Sequence, residues 1–139
     1  MIGGVNMKTI IFSLFLLIWP TASFANDTDT IKIQETISEQ ISSFQVDDFE
    51  KAFTFASTSI KSMFGNSENF GKMVRRGFPM VWRTKGVTYL ELSILNVDPV
   101  QRVMITYINA EIFILNYIMT KTDKGWKIRG VTIDKRPST

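Results

Sequence analysis

The 139-residue chain contains neither cysteine nor histidine. Without cysteine there are no disulfides, no thiol nucleophile, no thiolate metal site and no lipid-bearing cysteine, so stability has to come from apolar packing. Without histidine no side chain has an unperturbed pKa near neutrality. Neither a Ser-His-Asp triad nor a histidine metal cage can be assembled. Acid–base chemistry would fall to a carboxylate with a raised pKa, a tyrosine or a lysine. Glycine-rich phosphate loops are missing too: Gly3-Gly4 stands near the start, and Gly65, Gly71, Gly77 and Gly86 are isolated breakers. No motif for a metal or a cofactor is present.

What the chain does have is a leader. Lys8 precedes the apolar run Ile10-Ile11-Phe12-Ser13-Leu14-Phe15-Leu16-Leu17-Ile18-Trp19, and Pro20 breaks it. Ser23-Phe24-Ala25 then sets small side chains where a signal peptidase reads them, with a cut before Asn26. The run is shorter than the roughly 20 residues a membrane-crossing helix needs. The pattern predicts a signal peptide over residues 1–25, a single domain over 26–139, and a periplasmic or secreted product. Left uncleaved, the leader would tether the domain to the inner membrane. Met7-Lys8 would itself make an ordinary start for such a signal, with Met1 to Asn6 upstream of it. Removing 25 of the 139 residues leaves 114, enough to bury roughly two-thirds of the unfolded surface. The formal charge of +3 falls by one with Lys8. That is an ordinary balance, and export argues against nucleic acid as a partner.

The remaining chain divides into a helical first half and a strand-rich second half. Ile33, Ile37, Ile41 and Phe44 recur at three and four residues, which predicts a helix from about Thr30 to Val46. Asp47 is expected to cap a second helix, with Glu50 completing a capping box and Phe49, Ala52, Phe53 and Ala56 on one face. Ser59 would cap a single turn bearing Ile60, Met63 and Phe64, stopped by Gly65. Asn66 or Ser67 would start a third helix that buries Phe70, Met73 and Val74. Gly77 would end it in a left-handed conformation, and Pro79 would forbid an immediate restart. From Gly86 the period becomes two, giving a strand through Ile94. Asn96 to Gln101 reads as a turn. Val103, Ile105 and Tyr107 mark a second strand, joined through Asn109-Ala110 to a third, Ile112 to Lys121. That strand is apolar on both faces apart from Asn116, so it is expected to be central. Asp123-Lys124-Gly125 turns into a last strand, Trp126 to Asp134. Helices followed by strands predict an α+β domain, with three N-terminal helices packed on a curved antiparallel sheet of about four strands.

This order resembles the cone-shaped superfamily that includes nuclear transport factor two and ketosteroid isomerase. Within it the chain is similar to a family of proteobacterial domains, domain of unknown function 4864. The segments that carry the resemblance are Ile33-Gln34-Glu35 through Asp47-Asp48, Ala52-Phe53-Thr54-Phe55-Ala56-Ser57, and Met73-Val74-Arg75-Arg76-Gly77-Phe78-Pro79-Met80-Val81-Trp82-Arg83. It departs from the family pattern at Thr58 and Thr84, where proline is usual, and at Phe78, where tyrosine is common. The resemblance implies a cone with an internal pocket and, by analogy, a homodimer formed through the sheet. It implies no activity, because members of this superfamily include enzymes, adaptors and scaffolds.

Chemistry of the ketosteroid-isomerase kind would need a carboxylate base beside hydrogen-bond donors in an apolar cavity. Asp47, Asp48, Glu91, Glu111 and Asp134 are the carboxylates to consider. Asp47 and Asp48 are explained by capping, Glu111 and Asp134 stand at strand ends, and Glu91 alternates with leucines and faces solvent. None reads as catalytic. The densest basic patch is Arg75, Arg76, Arg83 and Lys85, interleaved with Phe78 and Trp82. Arginine can clamp a carboxylate or phosphate, and tryptophan can serve as a platform. Equally, cations in a helix's last turn favour its dipole. Arg75, Arg76, Trp82 and Arg83, together with strand residues Tyr89 and Tyr117, are the candidate ligand-binding set, with Trp82 at the mouth of a pocket. The reading is a non-enzymatic module for a small apolar or anionic ligand or a protein partner. A lyase or isomerase is the alternative.

Overall fold

A computed structural model describes residues 27–95 and 97–135. The leader, its cut and the two candidate starts lie outside the described residues. Five helices come first: α1 (Asp27–Gln45), α2 (Phe49–Thr54), α3 (Thr58–Phe64), α4 (Ser67–Gly77) and α5 (Pro79–Trp82). Four strands follow: β1 (Gly86–Leu95), β2 (Asp98–Thr106), β3 (Ile112–Thr122) and β4 (Gly125–Lys135). They pair antiparallel in the order β1-β2-β3-β4. The α+β order is therefore as expected, and β3 is an inner strand.

The predicted stripe on α1 is buried: Ile33, Ile37, Ile41 and Phe44 are each at most 4% exposed. It packs in one core with the helix-facing side chains of the inner strands, Val103, Ile105, Leu115, Tyr117 and Met119. The other face of β3, with Ile114, Asn116 and Ile118, is only half covered. Three register shifts, between Tyr89 and Leu92, Ile114 and Leu115, and Ile118 and Met119, add local bend and twist.

Several boundaries differ from those read in the sequence. Asp47 does not cap α2; it ends α1 in a left-handed conformation (φ 58°). Its N–H donates to the Phe44 carbonyl (3.1 Å) and that of Asp48 to Ser43 (2.9 Å), the pair of bonds that closes a Schellman motif. Asp48 is the cap, accepting from the Lys51 N–H at 3.0 Å, which leaves Glu50 one position short of a capping box. Ser57, not Ser59, caps α3 by accepting from Ile60 N–H. Asn66 caps α4 and Gly65 (φ 79°) stops α3, as expected. Gly77 is not left-handed, and Pro79, rather than forbidding a restart, opens α5. Proline suits the first helical position because its missing N–H would have had no partner there. In place of the expected turn to Gln101, β2 already begins at Asp98, and Gln101 is fully buried. Asn109 and Ala110 do connect β2 to β3, both left-handed, within a 3-10 turn that starts at Ile108, so Tyr107 lies past the strand's end.

Phenylalanines tie the helices together. Phe70 on α4 meets Phe53 (5.2 Å between centroids), Phe64 (5.8 Å) and Phe44 (6.0 Å). The segment after α2 is stitched to β4: Ser57 N–H donates to Ile128 O and Ile128 N–H to Phe55 O, each at 2.9 Å. α4 packs tightly on α2 at Gly71, where an added Cβ would stand 2.8 Å from Phe49 Cγ. Gly71→Ala should therefore lower the unfolding free energy by about 1–3 kcal/mol through overpacking, although alanine is the better helix former. Urea denaturation measures this, and a variant as stable as the parent would show that Phe49 gives way freely.

Candidate functional site

The amphipathic turns of α3 and α4 face β4 and leave a cleft of about 370 Å³. Ile60, Met63 and Phe64 line it from α3, and Phe70, Met73 and Val74 from α4, both sets at the spacing that places side chains on one helix face. Gln40 and Phe44 of α1 close one end, and Tyr117, Ile128 and Val131 contribute from the sheet. Among the described residues, no aspartate or glutamate lines it. Its polar side chains are Gln40, Tyr117 and Arg129. Gln40 donates to the Ala52 carbonyl at 3.1 Å, and Arg129 pairs with Asp98 at 2.7 Å. Tyr117 is different. It is 1% exposed, and its hydroxyl has no hydrogen-bond partner among the described residues. Burial, with the Tyr89 phenol adding to it, pushes the Tyr117 pKa far above the ordinary 10, so the group stays protonated.

The six candidate residues do not converge on one site. Trp82 and Arg83 meet at Asp47: the indole N–H donates to Asp47 Oδ1 (2.8 Å), and Arg83 Nη2 reaches Oδ1 (2.8 Å) and Oδ2 (3.0 Å). Arg83 Nη1 also donates to the carbonyl of Phe44 (3.0 Å), and its guanidinium lies 4.2 Å from the Trp82 ring centroid. These contacts cap the C-terminal end of α1. Trp82 is not among the cleft-lining residues. Arg75 lies over the Phe49 ring at 5.0 Å, and Arg76 is exposed. Tyr89 sits on the opposite flank of α1, where it bonds Ser38 and donates to Gln34 O. Burial raises its pKa, with the Ser38 bond opposing. Tyr117 alone of the six lines the cleft.

Of the carboxylates considered, Glu111 is exposed and the others are engaged elsewhere, Asp47 with Trp82 and Arg83. Glu91, exposed as expected, and Asp134 both clamp Arg102 at 2.8 Å, and Asp48 caps α2. Gln101 was hidden from sequence reasoning by Asp98-Pro99. Its Nε2 donates to the Leu90 carbonyl at the β1 bulge (2.9 Å) and Gln34 reaches its Oε1 (3.3 Å). It pins that bulge to α1.

A family model described as domain of unknown function matches residues 26–139, most of the chain. The chain belongs to that family, DUF4864. Neither the curated proteins nor the solved structures bring a match. Within this DUF4864 domain, the described residues contain no group of acids that could hold a metal and no helix long and apolar enough to cross a membrane.

The Asp47 lock makes a prediction for acid unfolding. The Trp82 hydrogen bond, then that from Arg83, holds the Asp47 carboxyl below its ordinary 3.8. A pKa depressed by folding contributes stability above the unfolded value and loses it as pH falls through the folded one. Asp47→Asn keeps a side chain tolerant of the left-handed backbone. The melting temperature of the parent should exceed that of Asp47→Asn near neutrality and converge on it below 3.8. A gap that persists unchanged to about pH 2 would refute the lock.

Proposed function

We propose that this chain is an exported, non-enzymatic binding protein. In this reading the leader is cut after Ala25. The helices and sheet form the tapered cone of the nuclear transport factor two and ketosteroid isomerase superfamily, and the cleft between α3, α4 and β4 takes a small apolar ligand. The observation that carries it is the cleft of about 370 Å³, lined mainly by Ile, Met, Phe and Val side chains. The cleft has the size of a small-molecule site, which spans roughly 300–1,000 Å³. Met63 at its rim is 72% exposed, and methionines let such a surface adapt to its guest. Isomerase chemistry finds no support, because the lining supplies no carboxylate base.

An environment-sensitive naphthalene dye should brighten on binding the purified domain with micromolar affinity. Val131→Phe, which enlarges a half-buried lining residue on a strand that tolerates aromatics, should weaken that binding at least about tenfold while circular dichroism stays unchanged. Equal brightening by both proteins would place the dye elsewhere. For export, the intact mass of protein recovered from the cell envelope should lack the first 25 residues. Full-length protein in the cytosol would contradict that half of the proposal.

A further inference from the structure

The charge around the cleft narrows what it takes. We infer that its ligand is a free one-tailed anionic amphiphile, with its apolar tail in the cleft and a carboxylate at the mouth beside Arg76. This rests on the reading of the cleft as a binding site.

Positive charge is concentrated on the three elements that form the cleft. α3, α4 and β4 carry seven lysines and arginines against two carboxylates, Glu68 and Asp134. That excess of five exceeds the +3 of the whole chain, so the remainder of the chain is net negative. Both carboxylates are already taken, Glu68 by Lys72 at 3.8 Å and Asp134 by Arg102 at 2.8 Å. Burial, then the ammonium groups of Lys61 and Lys124, lowers the Lys127 pKa, so like charges crowd at that end of β4.

Arg76 brings this charge to the mouth. It follows Met73 by one turn of α4, which makes the two side chains neighbours on the helix surface. Met73 and Phe78 both line the cleft and are half-buried, so they stand between its interior and water. Arg76 itself is exposed and has no ion-pair partner among the described residues. Apolar walls of low dielectric focus a field of one sign into the cleft between them. A carboxylate at the mouth keeps part of its hydration and gains a guanidinium that can hold it with two hydrogen bonds. Deeper among Phe, Met and Val side chains it would lose its water without a counter-charge. Head and tail are thereby ordered along the cleft, and the thioethers of Met63 and Met73 adapt its lining to a flexible chain.

Decanoate, decanol and decyltrimethylammonium share one tail and differ in the charge of the head. Calorimetric titration at neutral pH, each probe below its micellar concentration, should give affinities that fall in that order. The alcohol loses its water more readily than the carboxylate, so decanoate leads only if a cation receives it. Arg76→Gln, at an exposed helix position, should lower the decanoate-to-decanol affinity ratio about three- to fivefold. Added salt should lower the same ratio in the parent, a readout that needs no variant. Val131→Phe should weaken decanoate and decanol by a similar factor, which places the shared tail in the cleft. Decanol binding as tightly as decanoate, or a ratio unchanged by Arg76→Gln or by salt, overturns the inference but leaves an apolar site standing. Failure of all three probes to bind the parent, or binding that Val131→Phe leaves unchanged, overturns the site itself.

Discussion

Burial of one helical stripe against two inner strands is the interaction on which the other elements depend. Ile33, Ile37, Ile41 and Phe44 meet Val103, Ile105, Leu115 and Met119 in a core from which water is excluded. Each large side chain of this kind contributes about 1.5–3 kcal/mol when fully buried. With no cysteine in the chain, no covalent bridge can substitute for that packing. The sheet supplies a continuous apolar surface because β2 and β3 alternate in phase: Val103 stands opposite Leu115 and Ile105 opposite Phe113. A one-residue slip would turn every one of these side chains outward.

The end of α1 decides where everything after it goes. Asp47 takes the left-handed position usually given to glycine, which reverses the chain into α2, and its carboxylate receives Trp82 and Arg83 from the far side of the helical layer. One residue thus closes a helix locally and fixes α5 to it across the intervening α2, α3 and α4. Gln45 reinforces the junction by donating to the Trp82 carbonyl at 2.9 Å. Within the charge run that reads as a binding patch along the sequence, Arg83 and its neighbour Trp82 close the end of a helix. Arg76 and Lys85 of that run are exposed, solvated cations.

Legibility followed the strength of the periodic signal. The stripe of α1, the caps at Asn66 and Gly65 and the strand alternation after Gly86 are local properties, and they were readable. The errors arose where two adjacent residues compete for one role. Asp47 and Asp48 are chemically alike, and only the backbone reversal separates terminator from cap. Ser57 prevails over Ser59 because the Ala56–Ile128 bridge fixes the chain just before it. Gln101 was lost because Asp98-Pro99 signals a turn, whereas proline here occupies the strand start next to an edge strand, a place it tolerates. Of the site, the helix faces lining the cleft could be read. That Tyr117 would lack a partner could not, since tyrosine's partner depends on tertiary neighbours no local pattern encodes.

The cleft itself follows from an asymmetry in how the short helices pack. Gly71 lets α4 close on Phe49 of α2, and Phe70 gathers the surrounding rings. α3 joins this assembly less fully, since it has no fully buried residue. The bridge at Ala56 holds the chain before α3 against β4. A wedge stays open between them, and Tyr117 lies beside it.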